Sequence, residues 1–190
     1  MKQKFQELYL YIVNILETKL PKHLTYHNTK HTLYVLEKAV YIAAKENINK
    51  SDLFLLKTAA LLHDIGFINT NINHEEESCK IAKAILKKFS FSENEIEQIC
   101  SMIMATKIPQ KPKTILEKIL ADADLEYLAT NAFKTVSNTL YKEFKHFTPT
   151  LSIAQWNTIQ INFIKNHEFH TKYCKHYKEH RKLKNLQTLL

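Results

Sequence analysis

The feature that most narrows what this chain can fold into is its single glycine, Gly66, in 190 residues. At an average usage of ~7% about a dozen would be present. Tight hairpins consume glycine because their turns need positive φ, whereas helices exclude it. Four prolines and a hydrophobic fraction of 45% agree with an all-α fold whose core is large enough to stand without staples. The three cysteines, Cys79, Cys100 and Cys174, are odd in number and far apart. Nothing in that spacing resembles CxxC or a disulfide framework, which fits a reducing, cytoplasmic setting. Lys2 and Lys4 ahead of LYLYIVNIL loosely resemble a leader, but Glu7, Asn14 and Glu17 mark the segment as an amphipathic helix. No run nears the ~18 apolar residues of a membrane span.

Apolar positions recur with helical periodicity along the chain. They predict helices over 3–19, 29–46, 51–64, 74–89, 92–106, 114–128 and 131–146, then a long C-terminal helix or helix pair over 151–188. That makes about seven to nine helices in one domain over 1–190, with a core of about 24–146 and an extension of about 150–188. Asn28 or Thr29 caps the second segment and Ser51 the third, while Ser92 and Glu95 form a capping box. Gly66 suits a left-handed helix stop. Residues 107–113 (KIPQKPK) read as a loop. Trp156, Phe163 and Phe169 read as a packing stripe of the C-terminal helix.

Charge is unevenly placed. Residues 141–190 hold nine Lys/Arg against three Glu, most of the formal +8. A basic tail can attract nucleic acid, but 26 of the 27 basic residues are lysine. Base readers favour arginine forks, so a solvated helix face is the better reading and a nucleic-acid partner is not expected.

The chemistry concentrates at His63 and Asp64, which close the apolar run LLKTAALLHD. An adjacent imidazole and carboxylate at a buried helix end need compensation, and a divalent metal supplies it. His31 on an earlier helix and Asp124 on a later one are further candidate ligands. Mixed imidazole and carboxylate donors suit Mn, Fe, Co, Ni or Zn, with Mg also allowed. Histidine pairs at chelating spacing in the tail, His167/His170 and His176/His180, lack a carboxylate partner and read as decoys.

The order H…HD…D resembles the HD-domain superfamily of metal-dependent phosphohydrolases. So do YHNTKHTLYVL, LLKTAALLHDIGF, HEEES, MATKIP, ILADADLEYL and WNTIQINFIKNHEFHT, which span about residues 24–185. The resemblance implies an all-α HD-domain bundle with His31, His63, Asp64 and Asp124 as ligands of one metal ion. It places the second acid of ADAD, Asp124, on the metal and leaves Asp122 to support a ligand or face the substrate. His74 and Glu75 resemble a His-Glu pair that works beside the metal, although HEEES is also simply an acidic first helical turn. Phe67 stands where an HDxGH variant has histidine. The region CSMIMATKIP offers none of the extra histidines of binuclear members, which argues for one metal and against di-iron oxygenases.

Together these readings give an enzyme that hydrolyses a small phosphorylated metabolite or nucleotide through a metal-bound water. Catalytic roles fall to Asp64, His74 and Glu75, and Tyr26, His27, Lys30, Lys107 and Asp122 lie on the substrate side. The alternative is a catalytically weak nucleotide or second-messenger binding module that keeps the metal site. A homodimer is compatible with either.

Overall fold

The computed structural model describes residues 2–190. Ten α-helices follow one another: α1 (Lys2–Lys19), α2 (Thr29–Lys45), α3 (Lys50–Leu62), α4 (His74–Lys88), α5 (Glu93–Met104), α6 (Ile115–Asp124), α7 (Phe133–Phe147), α8 (Ile153–Asn166), α9 (Lys172–Tyr177) and α10 (Glu179–Gln187). Short 3-10 turns at Ile65–Ile68 and Glu126–Ala129 follow α3 and α6. Among the described residues there is no strand, and no helix is long and apolar enough to cross a membrane.

The central helix is α3, apolar on nearly every side. Leu55, Leu56 and Thr58 through Leu62 are all buried. It packs against α2 and α5 and also meets α1, α4 and α6. The stripe Leu8, Ile12, Leu16 of α1 closes one side of this core. A smaller apolar cluster joins Tyr26, Leu125, Leu128, Phe133, Ile164 and Leu186. It sits where the chain beyond α6 folds back on the first half.

The capping signals translate unevenly. Ser92 and Glu95 form the expected capping box, and Thr114/Glu117 and Ser152/Gln155 form two more. Asn28 caps α2 by accepting from the amides of Lys30 and His31. The cap of α3 is Asn49, not Ser51, because the Asn49 side chain accepts from the Asp52 amide and starts the helix two residues earlier than expected. The C-terminal stretch is three helices rather than one or two. The backbone turns extended at His167 and re-enters a helix only at the Thr171 cap.

A chain with one glycine still has to reverse direction. Asn47, Asn73 and Ser90 take the positive φ values of 57°, 52° and 54°, asparagine being the residue that tolerates that region best after glycine. Gly66 does not act as a left-handed stop, since its φ is not positive. It is needed for space. A Cβ there would lie 2.1 Å from the His74 carbonyl oxygen and 2.7 Å from the Ser78 nitrogen. The missing side chain lets α4 seat against the turn after α3, and the Gly66 amide donates to Ser78 Oγ at 2.8 Å.

Candidate metal centre

Four helix ends deliver the cluster. His31 lies in the first turn of α2, held there by the Asn28 cap. His63 ends α3 and Asp64 leads the following 3-10 turn. Asp124 is the last residue of α6. His74 and Glu75 open α4, brought alongside by the close approach at Gly66. Helix termini suit such a site because the side chains there project past the end of the backbone ladder into a shared space.

The donor atoms converge. Nε2 of His31 lies 3.1 Å from Asp124 Oδ1, 3.3 Å from Asp64 Oδ2 and 3.4 Å from His63 Nε2. Nε2 of His63 lies 3.2 Å from Asp64 Oδ2 and 3.6 Å from Asp124 Oδ1. One donor atom each from His31, His63 and Asp124 fall within 4.8 Å of one another. His63 Nδ1 donates to the Ala60 carbonyl at 2.9 Å, which turns Nε2 to the cluster.

These residues fit a divalent cation. Asp64 Oδ2 is buried with no hydrogen-bond partner, an expensive arrangement for a carboxylate oxygen unless something positive faces it. Two nitrogens and two carboxylates around one point are a transition-metal donor set. Donors each ~2.1 Å from one ion would stand roughly 3.0–3.4 Å apart, close to the separations seen. With no cation between them, burial alone would depress the His63 and His31 rings, but the Asp64 and Asp124 carboxylates outweigh it and raise both, His63 well above its ordinary value. Burial pushes the Asp64 and Asp124 carboxyls up, and the facing histidines overcome it and hold both below the usual range. The cluster therefore demands positive charge, whether as protons or as a metal ion.

His74 and Glu75 stand beside this cluster. His74 Nε2 lies 3.4 Å from Asp64 Oδ1 and 3.6 Å from Glu75 Oε1. Burial lowers the ring's pKa and Asp64 raises it by more. A cavity of about 210 Å³ opens here, with Asp64, His74, Glu75 and Asp124 at one end together with His27 and Thr106. The opposite end is apolar and built from α7 and α8.

The expected substrate-side residues divide. Tyr26 and His27 line the cavity, and the Tyr26 ring lies 4.5 Å from that of His31. Lys30 does not reach it; its side chain is exposed beside a separate groove with Tyr34 and Val136. Lys107 is turned to Glu76, with which it pairs, and to Asn73 Oδ1 at 3.0 Å. It therefore ties the 107–113 loop to the start of α4 rather than facing the cluster. Asp122 corrects the expectation most clearly. It is fully buried, and its carboxylate accepts from the His170 and Thr171 amides, each at 2.8 Å, and from Thr171 Oγ1 at 2.7 Å. Two residues apart on a helix face different directions. Asp124 meets the histidines while Asp122 anchors the link between α8 and α9.

Sequence reasoning missed the roles of four residues. Glu143 on α7 is buried; it accepts from the Tyr26 and His27 amides at 2.8 and 3.0 Å and bonds the His27 ring. Burial raises its carboxyl and these partners pull it below the ordinary value. Phe67 is a stacking bed, with ring centroids 4.2 Å from His27 and 4.0 Å from His74. Trp156 and Phe163, read as packing, are cavity wall. A lone glutamate or phenylalanine on an amphipathic helix carries no signal of this in sequence. As for the tail histidines, His167 is buried, and His176 and His180 fall on different helices.

The HD domain model matches residues 29–126, more than half of the 190 residues, and brackets all four cluster residues. The chain belongs to the HD-domain family. Its fold is similar to that in the crystal structure of Bacillus subtilis YpgQ in complex with ADP, at a TM-score of 0.56 and 18% identity over 98% of this chain and 93% of that one. No curated protein matches the sequence.

Proposed function

We propose that this protein is a metal-dependent phosphohydrolase acting on a small phosphorylated metabolite or nucleotide. The observation that carries the reading is the buried, unpartnered Asp64 Oδ2 facing two imidazole nitrogens at the polar end of a cavity. His31, His63, Asp64 and Asp124 would hold one divalent cation. Such an ion, when bound, polarises a phosphoryl oxygen and lowers the pKa of a coordinated water.

The remaining roles belong to the chain. His74 lines the cavity within reach of Asp64 and Glu75, placed to give a proton to the departing alkoxide. Glu75 orients that ring. His27, positioned by Glu143 and stacked on Phe67, supplies a hydrogen bond to a phosphate oxygen. The fold-level likeness to a protein crystallised with ADP supports a nucleotide as one occupant, and with it a second reading as a nucleotide-binding module without turnover.

The test strips the protein with a chelator, reloads it with Mn²⁺, Co²⁺, Ni²⁺ or Zn²⁺, and assays phosphate release from a panel of monoesters and nucleotides. Release that vanishes in a folded Asp64→Ala variant is the expected result. Tight nucleotide binding with no release under any metal overturns the enzyme reading in favour of the binding module.

A further inference from the structure

The cavity has two chemically opposite ends. Beyond Asp64, His74, Glu75 and Asp124, its wall is made of Phe133, Leu140, Phe144, Trp156, Ile159 and Phe163. Among the described residues no lysine or arginine lines it. The two lysines expected on the substrate side are engaged or turned elsewhere: Lys107 pairs with Glu76, and Lys30 is exposed beside another groove. A second or third phosphate would therefore enter an acidic and apolar space with no cation from the chain to meet it, whereas diphosphate and triphosphate sites depend on such cations.

The polar groups that α8 contributes are closed to a ligand. Gln160 Oε1 accepts from Ser137, and its Nε2 donates to Asn157 Oδ1 at 3.3 Å. Trp156 Nε1 donates to Ser137 Oγ at 3.3 Å. They are turned to one another, so the apolar end presents ring and methyl surface in place of the donors and acceptors that would read a nucleobase edge. The volume of about 210 Å³ falls below the ~300 Å³ at which sites for drug-sized ligands begin.

From this we infer that the substrate is a small phosphate monoester whose organic group is apolar, a single ring or a short alkyl chain, seated against α7 and α8. The inference rests on the phosphohydrolase reading and narrows it. In the reaction a water oxygen forms the new P–O bond, the ester P–O bond breaks, and the alkoxide leaves with one proton as the apolar alcohol. The second water proton stays with the phosphate or buffer. The leaving group then lies against the apolar wall of the cavity, and His74 faces the ester from the polar end.

The test uses the Mn²⁺-loaded full chain and two readouts. Calorimetry compares methyl-, ethyl- and butylphosphonate, and phosphate-release assays compare the corresponding monoesters. Burial of each added methylene should tighten phosphonate binding about fourfold until the cavity is filled, and kcat/KM should rise with chain length. Ile159 is half-exposed at the cavity's edge, so Ile159→Glu should fold, as circular dichroism checks, and should flatten the chain-length dependence in both readouts. Monoester turnover with no chain-length dependence, or ADP bound more tightly than butylphosphonate, overturns the apolar-ester inference and leaves the phosphohydrolase reading standing. Graded phosphonate binding without turnover of any ester overturns hydrolysis and keeps the apolar subsite. A dimer that Ile159→Glu dissociates, with no graded binding, assigns the surface to a second copy of the chain and overturns the inference.

Discussion

The first part of the chain, which holds the family-matched residues 29–126, and the part beyond residue 126 both bury many polar groups, and they treat them in opposite ways. In the second half most buried groups answer one another, His167 Nε2 being the exception. Thr171 and His170 donate to Asp122, Ser137 joins Gln160 and Trp156, and Lys182 is closed by the His167 carbonyl and Glu179. In the first half, at the ends of α2, α3 and α6, imidazole and carboxylate atoms crowd one another, and Asp64 Oδ2 completes no hydrogen bond although two imidazole nitrogens face it at 3.2 and 3.3 Å. Buried polar groups that complete each other hold a fold together. Those that leave a common deficit of positive charge await a ligand. Asp122 and Asp124, two residues apart on α6, show the contrast side by side: Asp122 is answered by the later segment, and Asp124 joins the histidine cluster.

The largest expected effect tests that division directly. Asp124→Ala should weaken Mn²⁺ binding by more than the ~100-fold seen when a ligand's supporting partner is lost, as titration calorimetry would show. Asp122→Ala should leave metal affinity essentially where it was while lowering stability by about 1–3 kcal/mol, the cost of stranding buried donors. Equal losses of metal affinity in the two variants would erase the distinction between the two halves.

Next in size is Gly66→Ala. The added methyl meets backbone rather than a flexible side-chain end, so the cost should reach about 3 kcal/mol, or roughly 6–12 °C in Tm for a chain of this length. Metal affinity should fall with it if α4 must retreat from Asp64. A variant with unchanged Tm would show that the contact between α4 and the turn is not tight.

The smallest effect is that of Glu143→Gln. The Glu143 carboxyl sits below its ordinary value in the fold. Its stabilisation is therefore present above the unfolded value of ~4.3 and is lost as pH falls through the lower folded value. Thermal melts of the wild type should lose stability on acidification through that window, and Glu143→Gln should flatten this part of the profile. It should also lower neutral-pH stability by about 1–2 kcal/mol. An unaltered profile would detach Glu143 from the positioning of Tyr26 and His27.

Much of the first half was legible from residue order alone. Helical periodicity located every helix through α7 to within a few residues, since each buries one stripe against a common core. His63 and Asp64 could be singled out because a polar pair ending an apolar run is conspicuous, and His31 and Asp124 because the order H…HD…D resembles a known family. Lys30 and Lys107 were misplaced because proximity in sequence says nothing of which way a long side chain turns, and Glu76 captured the second of them. Ser51 lost the cap of α3 to Asn49 because cap residues compete locally, and the winner depends on where packing starts the helix.

An all-helical chain and an imidazole–carboxylate set suited to a transition metal follow from composition and short-range pattern, which act between neighbours and need no tertiary partner. The resemblance already favoured Asp124 over Asp122 as a ligand, but the anchoring role of Asp122 depends on folding, and so do the role of the sole glycine as a contact and the apolar end of the cavity. Each is settled by contacts between segments distant in the chain, such as Asp122 with Thr171, Gly66 with α4, and Glu143 with His27. Such contacts form only when the helices pack, and no local periodicity encodes them.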